Sequence, residues 1–414
     1  MRFLLLALTL ATLPAVEIPA PLYQARRAQL QKALSDGVAV LYGHSEEPSD
    51  LRSGFFQEPN FYYLTGWSEP GAVLLIDPAR EILFLPKKNP EAERWTGVKA
   101  SPQDAGIQAL TGFERVMPVE HLERELRKSL DEYGRIHALP GTPQAAKLQA
   151  VAPLAEIKDP RMAIARLRMK KSPEEIALIE RATGVSLEGH RAAWKRAAPG
   201  LYEYQIAASM TQVFQESGCQ RHAYAPIVGA GPNALTLHYS RNTRRMDQGE
   251  LLLMDVAAEC SGYASDISRT IPVGAKFSPR QREIYEIVLG AQKAVIDAVK
   301  PGVRIGGRTM PGGLQKVAFD YINTHGQDRQ GNPLGKYFTH GIGHHVGLEV
   351  HDAFDPMMEL QAGMVITVEP GIYIPEENIG VRIEDVVLVT GNGARILSAG
   401  LPREVEEIEK ALAR

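Results

Sequence analysis

Four of the eleven histidines fall in one short stretch, His340-Gly-Ile-Gly-His344-His345-Val-Gly-Leu-Glu-Val-His351-Asp352. Glycines at 341, 343 and 347 mark a tightly turning loop rather than a helix, which excludes a helical His-Glu-x-x-His zinc site. Imidazoles gathered this way can bind a metal, carry a proton or donate to a developing oxyanion. Three other places deliver carboxylates. The run Leu251-Leu-Leu-Met ends in Asp255, and Asp266 follows Gly262-Tyr-Ala-Ser. With a hairpin centred between Cys260 and Ser261, the two aspartates are direct cross-strand neighbours, their Cβ atoms about 5 Å apart. Like charges buried that close require a proton or a cation between them. Glu259, beside the turn, is expected in solvent. Met364-Val-Ile-Thr-Val again ends in an acid, Glu369. In Gly380-Val-Arg382-Ile-Glu384-Asp385 a strand would put Arg382 and Glu384 on one face and turn Ile383 and Asp385 away.

Two aspartates, two glutamates and a neutral histidine carry −4, which two divalent cations neutralise. Oxygen-rich ligands suit hard ions, Mn²⁺ first and Co²⁺ or Zn²⁺ after it. Paired ions of this kind clamp a bridging water and acidify it. Thiolate sites are excluded, because Cys219 and Cys260 are the only cysteines and form no Cys-x-x-Cys.

The elements that must hold these groups follow from local pattern. Val38–Tyr42, Ala72–Ile76 and Ile82–Leu85 are apolar runs bounded by turn residues and read as strands. Helical stretches at Leu22–Leu34 and His121–Tyr133 alternate with them, giving an α/β unit over residues 21–160. Its boundary is the Pro-flanked segment Ala152–Asp159. Residues 161–414 read as an α+β unit. Ser172-Pro-Glu-Glu175 caps a helix that stops at Pro199-Gly200, and Ser278-Pro-Arg-Gln281 caps another that stops at Pro301-Gly302. Each is followed by a second helix, Tyr204–Glu216 and Gly313–Asn323, and then by strands. Two similar halves facing one another, with a site between them, are expected.

The chain has 414 residues, room for two or three domains. Its net charge of −3 excludes a general nucleic-acid binder. Arg2 followed by the apolar run Phe3–Leu13 and small residues to Ala20 reads as an export signal over residues 1–20, too short to span a bilayer. An exported protein, periplasmic or secreted and without stable membrane insertion, is expected. In such a compartment Cys219 and Cys260 could pair.

Asp255, Asp266 eleven residues on, the His-Gly-x-x-His…His-Asp loop, Val368-Glu-Pro-Gly371 and Arg382-Ile-Glu-Asp385 together resemble the pita-bread metallopeptidases. That family includes Xaa-Pro aminopeptidases, Xaa-Pro dipeptidases and methionine aminopeptidases. Phe56-Gln-Glu-Pro-Asn-Phe-Tyr-Tyr-Leu-Thr-Gly66, Glu69-Pro-Gly-Ala-Val-Leu-Leu75 and Glu93-Arg-Trp95-Thr-Gly97 resemble the aminopeptidase P N-terminal domain, which methionine aminopeptidases lack. The resemblance implies an α/β N-terminal domain followed by a pita-bread catalytic domain. It implies five metal ligands, Asp255, Asp266, His344, Glu369 and Glu384, with Glu369 also the general base. His351 would stabilise the oxyanion, and His340 and His238 would pack near the substrate's proline ring or hydrogen-bond the peptide. Arg382 would orient a ligand, and Trp95 would wall a neighbouring subunit's site in a homodimer or homotetramer. His345 receives no role and is expected in solvent. The implied substrate is a peptide with proline second. A short Gly371–Gly380 stretch keeps an Xaa-Pro dipeptidase as the alternative, whereas a silent binding module would have lost some of the five ligands.

Overall fold

The computed structural model describes residues 17–47, 50 and 54–413. Residues 1–16 of the expected export signal lie outside them. The first unit is one six-stranded sheet in the order Val116–Pro118, Arg80–Leu85, Val73–Asp77, Val38–Tyr42, Arg135–His137, Glu156–Lys158. The three central strands pair antiparallel and the three outer ones join parallel. The central strands are the apolar runs that pattern identifies; the outer ones are three residues each, too short for any period to show. Helix Ala20–Ala33 lies on the sheet and buries Leu30, Arg26 and Arg27. Arg27 forks onto Glu81, while Arg26 reaches Glu175 of the second unit at 3.1 Å.

The second unit begins at helix Pro173–Arg196, whose Ser172 and Glu175 form the expected capping box. Helix Pro279–Ala298 starts with the same device from Ser278 and Gln281. Helices Glu203–Glu216 and Leu314–His325 follow as companions. One half carries the antiparallel sheet Ser268–Pro272, Leu251–Asp255, Ile227–Ala230. The other carries Val365–Val368, Asp385–Val389 and Ala394–Ile396, with a separate hairpin Gly371–Ile374 and Ile379–Arg382. The halves are stitched where Thr270 exchanges hydrogen bonds with Arg382 (3.0 and 3.2 Å) and Glu384 N–H donates to Ser268 at 3.0 Å. Ile271, Val288, Ile372 and Val381 belong to one core shared by both. Among the described residues, no helix is long and apolar enough to cross a membrane.

Several expectations change. The hairpin turns on Ser261 and Gly262, both at positive φ (53° and 78°), so Cys260 faces Tyr263. Two-residue turns of this kind favour left-handed backbone at both positions. The turn centre thus falls one residue later than expected, and Asp255 faces Ser268 rather than Asp266. Asp266 becomes a diagonal neighbour on the same face. Glu259 is buried rather than solvated, because strand pairing with Arg221 brings that guanidinium within 2.9 Å. The segment carrying Arg382 and Glu384 is no single strand: it leaves one hairpin at Arg382 and enters another sheet at Asp385. Asp385 does point away, onto buried Arg269 at 2.7 Å. Cys219 and Cys260 form a disulfide.

Candidate metal centre

Each carboxylate arrives at the end of an apolar strand or just beyond one, so buried backbone aims a charged group at one place. Asp255, Asp266 and Glu384 are buried. Asp266, His344 and Glu384 each offer a ligand atom within 4.8 Å of the other two. His344 Nε2 stands 3.4 Å from Asp266 Oδ2 and 3.6 Å from Glu369 Oε1. Its Nδ1 lies 3.0 Å from the His345 carbonyl and donates there, which turns Nε2 toward the carboxylate oxygens. The Tyr224 hydroxyl lies 2.5 Å from Oδ1 of both Asp255 and Asp266. One hydroxyl proton cannot serve two anionic oxygens. Carboxylates gathered around one imidazole nitrogen, two of them sharing one hydroxyl proton, call for added protons or for cations. The donor set therefore fits divalent metal.

The cluster's own charge balance says the same. Arg382 covers one charge, with Nη2 2.6 Å from Asp255 Oδ2. Burial first, then the neighbouring acids, holds Asp266 and Glu384 well above the usual carboxylate range. Burial and then Glu384 push Glu369 up to about 8. Without metal the site must keep protons where cations would otherwise sit.

A hydrogen-bonded chain fixes the surroundings. Arg382 Nε donates to Ser268 Oγ (2.8 Å), which donates to Glu384 Oε2 (2.9 Å). Arg382 Nη1 donates to the Tyr373 hydroxyl, which lies 2.9 Å from His340 Nε2. His340 Nδ1 donates to Gly341 O, so Nε2 accepts from Tyr373. Burial and the Arg382 charge lower the His340 imidazole to about 4, neutral at physiological pH. Thr367 Oγ1 accepts from the His344 N–H (3.1 Å) and donates to Glu369 (3.3 Å).

The His351 ring meets His344 edge-on at 4.2 Å and is exposed. Partial burial of the ring, then the neighbouring imidazoles of His344 and His238, lowers its pKa. His238 is exposed and follows Leu237, whose carbonyl accepts from Arg382 at 3.4 Å. The structure thus gathers all the expected histidines and acids. Trp95 is set apart: it is 87% exposed on a helix, Pro90–Thr96, with no buried residue. His345 is buried rather than solvated, paired by backbone to Ile366 and stacked on Phe354. Sequence reasoning missed Tyr224, Ser268, Thr367 and Tyr373. Thr367 was readable, being two residues before Glu369 on the same strand face. Tyr224 carries no local signal.

Fold and site define a class, a pita-bread metallopeptidase with an N-terminal α/β domain. Residues 177–391 match the metallopeptidase family M24 and residues 23–137 match the aminopeptidase P N-terminal domain. The chain belongs to metallopeptidase family M24, as a hydrolase of the metallo-exopeptidase class. It is 33% identical over 433 residues to Xaa-Pro aminopeptidase of Haemophilus influenzae, covering 96% of this chain and 98% of that one. It is also 33% identical to Xaa-Pro aminopeptidase of Escherichia coli, covering 95% and 98%. The solved structure of Pseudomonas aeruginosa aminopeptidase PepP superposes with a TM-score of 0.86 at 30% identity, covering 96% and 98%.

Proposed function

We propose that the chain is an Xaa-Pro aminopeptidase, releasing the first residue of peptides whose second residue is proline. The observation that carries this is the convergence of four carboxylates with the His344 Nε2, two of the acids sharing a single hydroxyl proton. Full-length relatives bearing that activity in their names support the substrate class. Asp255, Asp266, His344, Glu369 and Glu384 would hold two divalent ions, which when bound neutralise the cluster and acidify a water for attack near neutral pH.

The chain's own residues do the rest. Glu369 takes the proton of the attacking water at a carboxylate oxygen. Neutral His340, held by Tyr373, faces Glu369 at 3.7 Å and borders the substrate's proline together with His238. His351 donates a hydrogen bond to the carbonyl oxygen as it gains charge. Arg382 fixes the Asp255 carboxylate and, through Ser268, that of Glu384. An Xaa-Pro bond has no amide N–H, so a site that offers no acceptor to that nitrogen favours proline.

Manganese is the proposed metal, because four of five ligands are carboxylates. Export to an oxidising compartment is supported by the Cys219–Cys260 disulfide. The exposure of Trp95 suits a contact between copies in a dimer or tetramer.

One observation favours a dipeptidase: a single turn, Pro375–Glu377, joins Ile374 to Ile379. The test is cleavage of an Xaa-Pro-Xaa tripeptide beside Gly-Pro, each with Mn²⁺. Preference for the tripeptide upholds the aminopeptidase, and preference for Gly-Pro replaces it with the dipeptidase.

A further inference from the structure

The residue after His351 is a carboxylate that the site does not use. Asp352 is buried and meets two buried cations: Arg168 Nη2 at 2.5 Å and Lys171 Nζ at 2.7 Å. All three side chains are at most 2% exposed. Arg168 also donates to Glu349 Oε2 and to Asn60 Oδ1, both at 2.8 Å. Asn60 sits on helix Pro59–Thr65 of the first unit, whose Tyr63 donates to Leu167 O at 3.0 Å. The clamp therefore ties three parts together: the N-terminal unit, the segment Arg161–Lys171 that links the units, and the histidine loop.

The loop closes on the same residue. The Asp352 N–H donates to His345 O at 2.8 Å, bracketing residues 345–352. A Cβ at Gly347 would stand 2.3 Å from Asp352 Oδ2, so glycine there lets the carboxylate reach Lys171. Burial alone would raise the Asp352 carboxyl; Lys171 and Arg168 reverse that and hold it below its usual range. A buried ion cluster of this kind is a poor source of stability, because desolvation offsets most of the attraction. What it supplies is a fixed geometry, and the geometry it fixes is the loop carrying His351 against His344 at 4.2 Å.

We propose that Asp352, gripped by Arg168 and Lys171, is a positioning residue for His351, through which docking of the N-terminal domain sets the substrate site. This rests on the reading of His351 as a group that meets substrate. Four of the five ligands, Asp255, Asp266, Glu369 and Glu384, lie outside the loop; the fifth, His344, precedes the bracketed residues and is held separately by Thr367, so metal content distinguishes an effect on His351 from one on His344.

The experiment compares kcat/KM on an Xaa-Pro-Xaa tripeptide for the Mn²⁺-loaded wild type, Asp352→Asn, His351→Ala and the double variant, with metal content measured for each. Asp352→Asn is expected to lower kcat/KM by about 10–100-fold, as a displacement of a substrate-contacting group by about 1 Å does. Metal content should stay at the wild-type value. Added to His351→Ala, it should cost no further activity beyond about twofold, because residues acting as one unit are not additive. Fully multiplicative losses, or loss of metal in Asp352→Asn, would overturn the positioning role while leaving the aminopeptidase reading intact. Wild-type activity in His351→Ala would overturn the role assigned to His351 and this proposal with it. Should Asp352→Asn fail to fold, Arg168→Lys replaces it: the charge beside Asp352 is kept, but a single ammonium cannot also hold Asn60. The same non-additivity with His351→Ala is expected, and multiplicative losses overturn the proposal.

Discussion

Removing metal from this protein should make it less stable as the solution becomes more alkaline, in a window where most proteins are indifferent. Folded Glu369 holds its proton up to about 8, against 4.5 for the same group unperturbed. Between those values the folded state binds a proton that the unfolded chain has released. Stability contributed by this group is therefore full below pH ~4.5 and falls as pH rises through about 8. At about 1.4 kcal/mol per pH unit the whole span amounts to about 5 kcal/mol, of which about 1 kcal/mol falls between pH 7 and 8.5. Asp266 and Glu384 add to it in the same direction. The buried histidines His190, His340 and His345 act oppositely, their pKa values lowered to about 4, 4 and 3. Their contribution is nearly complete about one unit above the ordinary histidine value of about 6.5, so the upper part of the interval, pH 7.75 to 8.5, is governed by the carboxylates. The assay is urea unfolding of chelator-treated protein at pH 7, 7.75 and 8.5, with Glu369→Gln beside wild type. Wild-type midpoints should fall with pH, and Glu369→Gln should fall less. In the metal-loaded protein the trend should reverse, since cations displace the protons. Metal-free stability that is flat or rising above pH 7.75, or equal slopes in both proteins, would refute the assignment of Glu369 to a crowded acidic cluster.

Tyr224→Phe removes the hydroxyl shared by Asp255 and Asp266, and metal affinity measured by competition with a chelating dye should weaken about 10–100-fold. In Gly343→Ala the new Cβ would stand 2.1 Å from the Thr367 carbonyl oxygen, which must push the His344 loop off its strand. Metal content should drop, and stability should fall by about 1–3 kcal/mol in denaturation. Reducing the Cys219–Cys260 bond, which spans 41 residues, should cost about 4 kcal/mol in loop entropy, seen as a lower melting temperature with reductant. Glu369→Gln should retain its fold and lose turnover, and activity like wild type would remove Glu369 as the base.

Asp255 and Glu369 were readable because each ends an apolar run, Leu251–Met254 or Val365–Val368, while Asp266 and Glu384 were readable from their spacing to neighbouring motif residues. Both long helices were readable because Ser172 and Ser278 start them by local hydrogen bonds that need no partner elsewhere. Failures came where distant segments decide. Glu259 looks like a turn residue until Arg221, thirty-eight positions earlier, pairs with it. His345 looks like a loop residue until Ile366 bridges to it. Tyr224 reaches Asp266 across 42 positions, with no period or cap to announce it. The hairpin was misplaced by one residue because Ser261 takes a left-handed conformation that its residue type does not advertise.

The disulfide also imposes an order in time. Cys219 and Cys260 enclose Tyr224, His238 and Asp255, and both precede His344, Glu369 and Glu384 along the chain. In a chain that emerges N-terminus first, this ring can close before the second half of the ligand set has been delivered. Oxidation can then precede metal loading, with the segment that carries Tyr224, His238 and Asp255 already braced when the cations arrive.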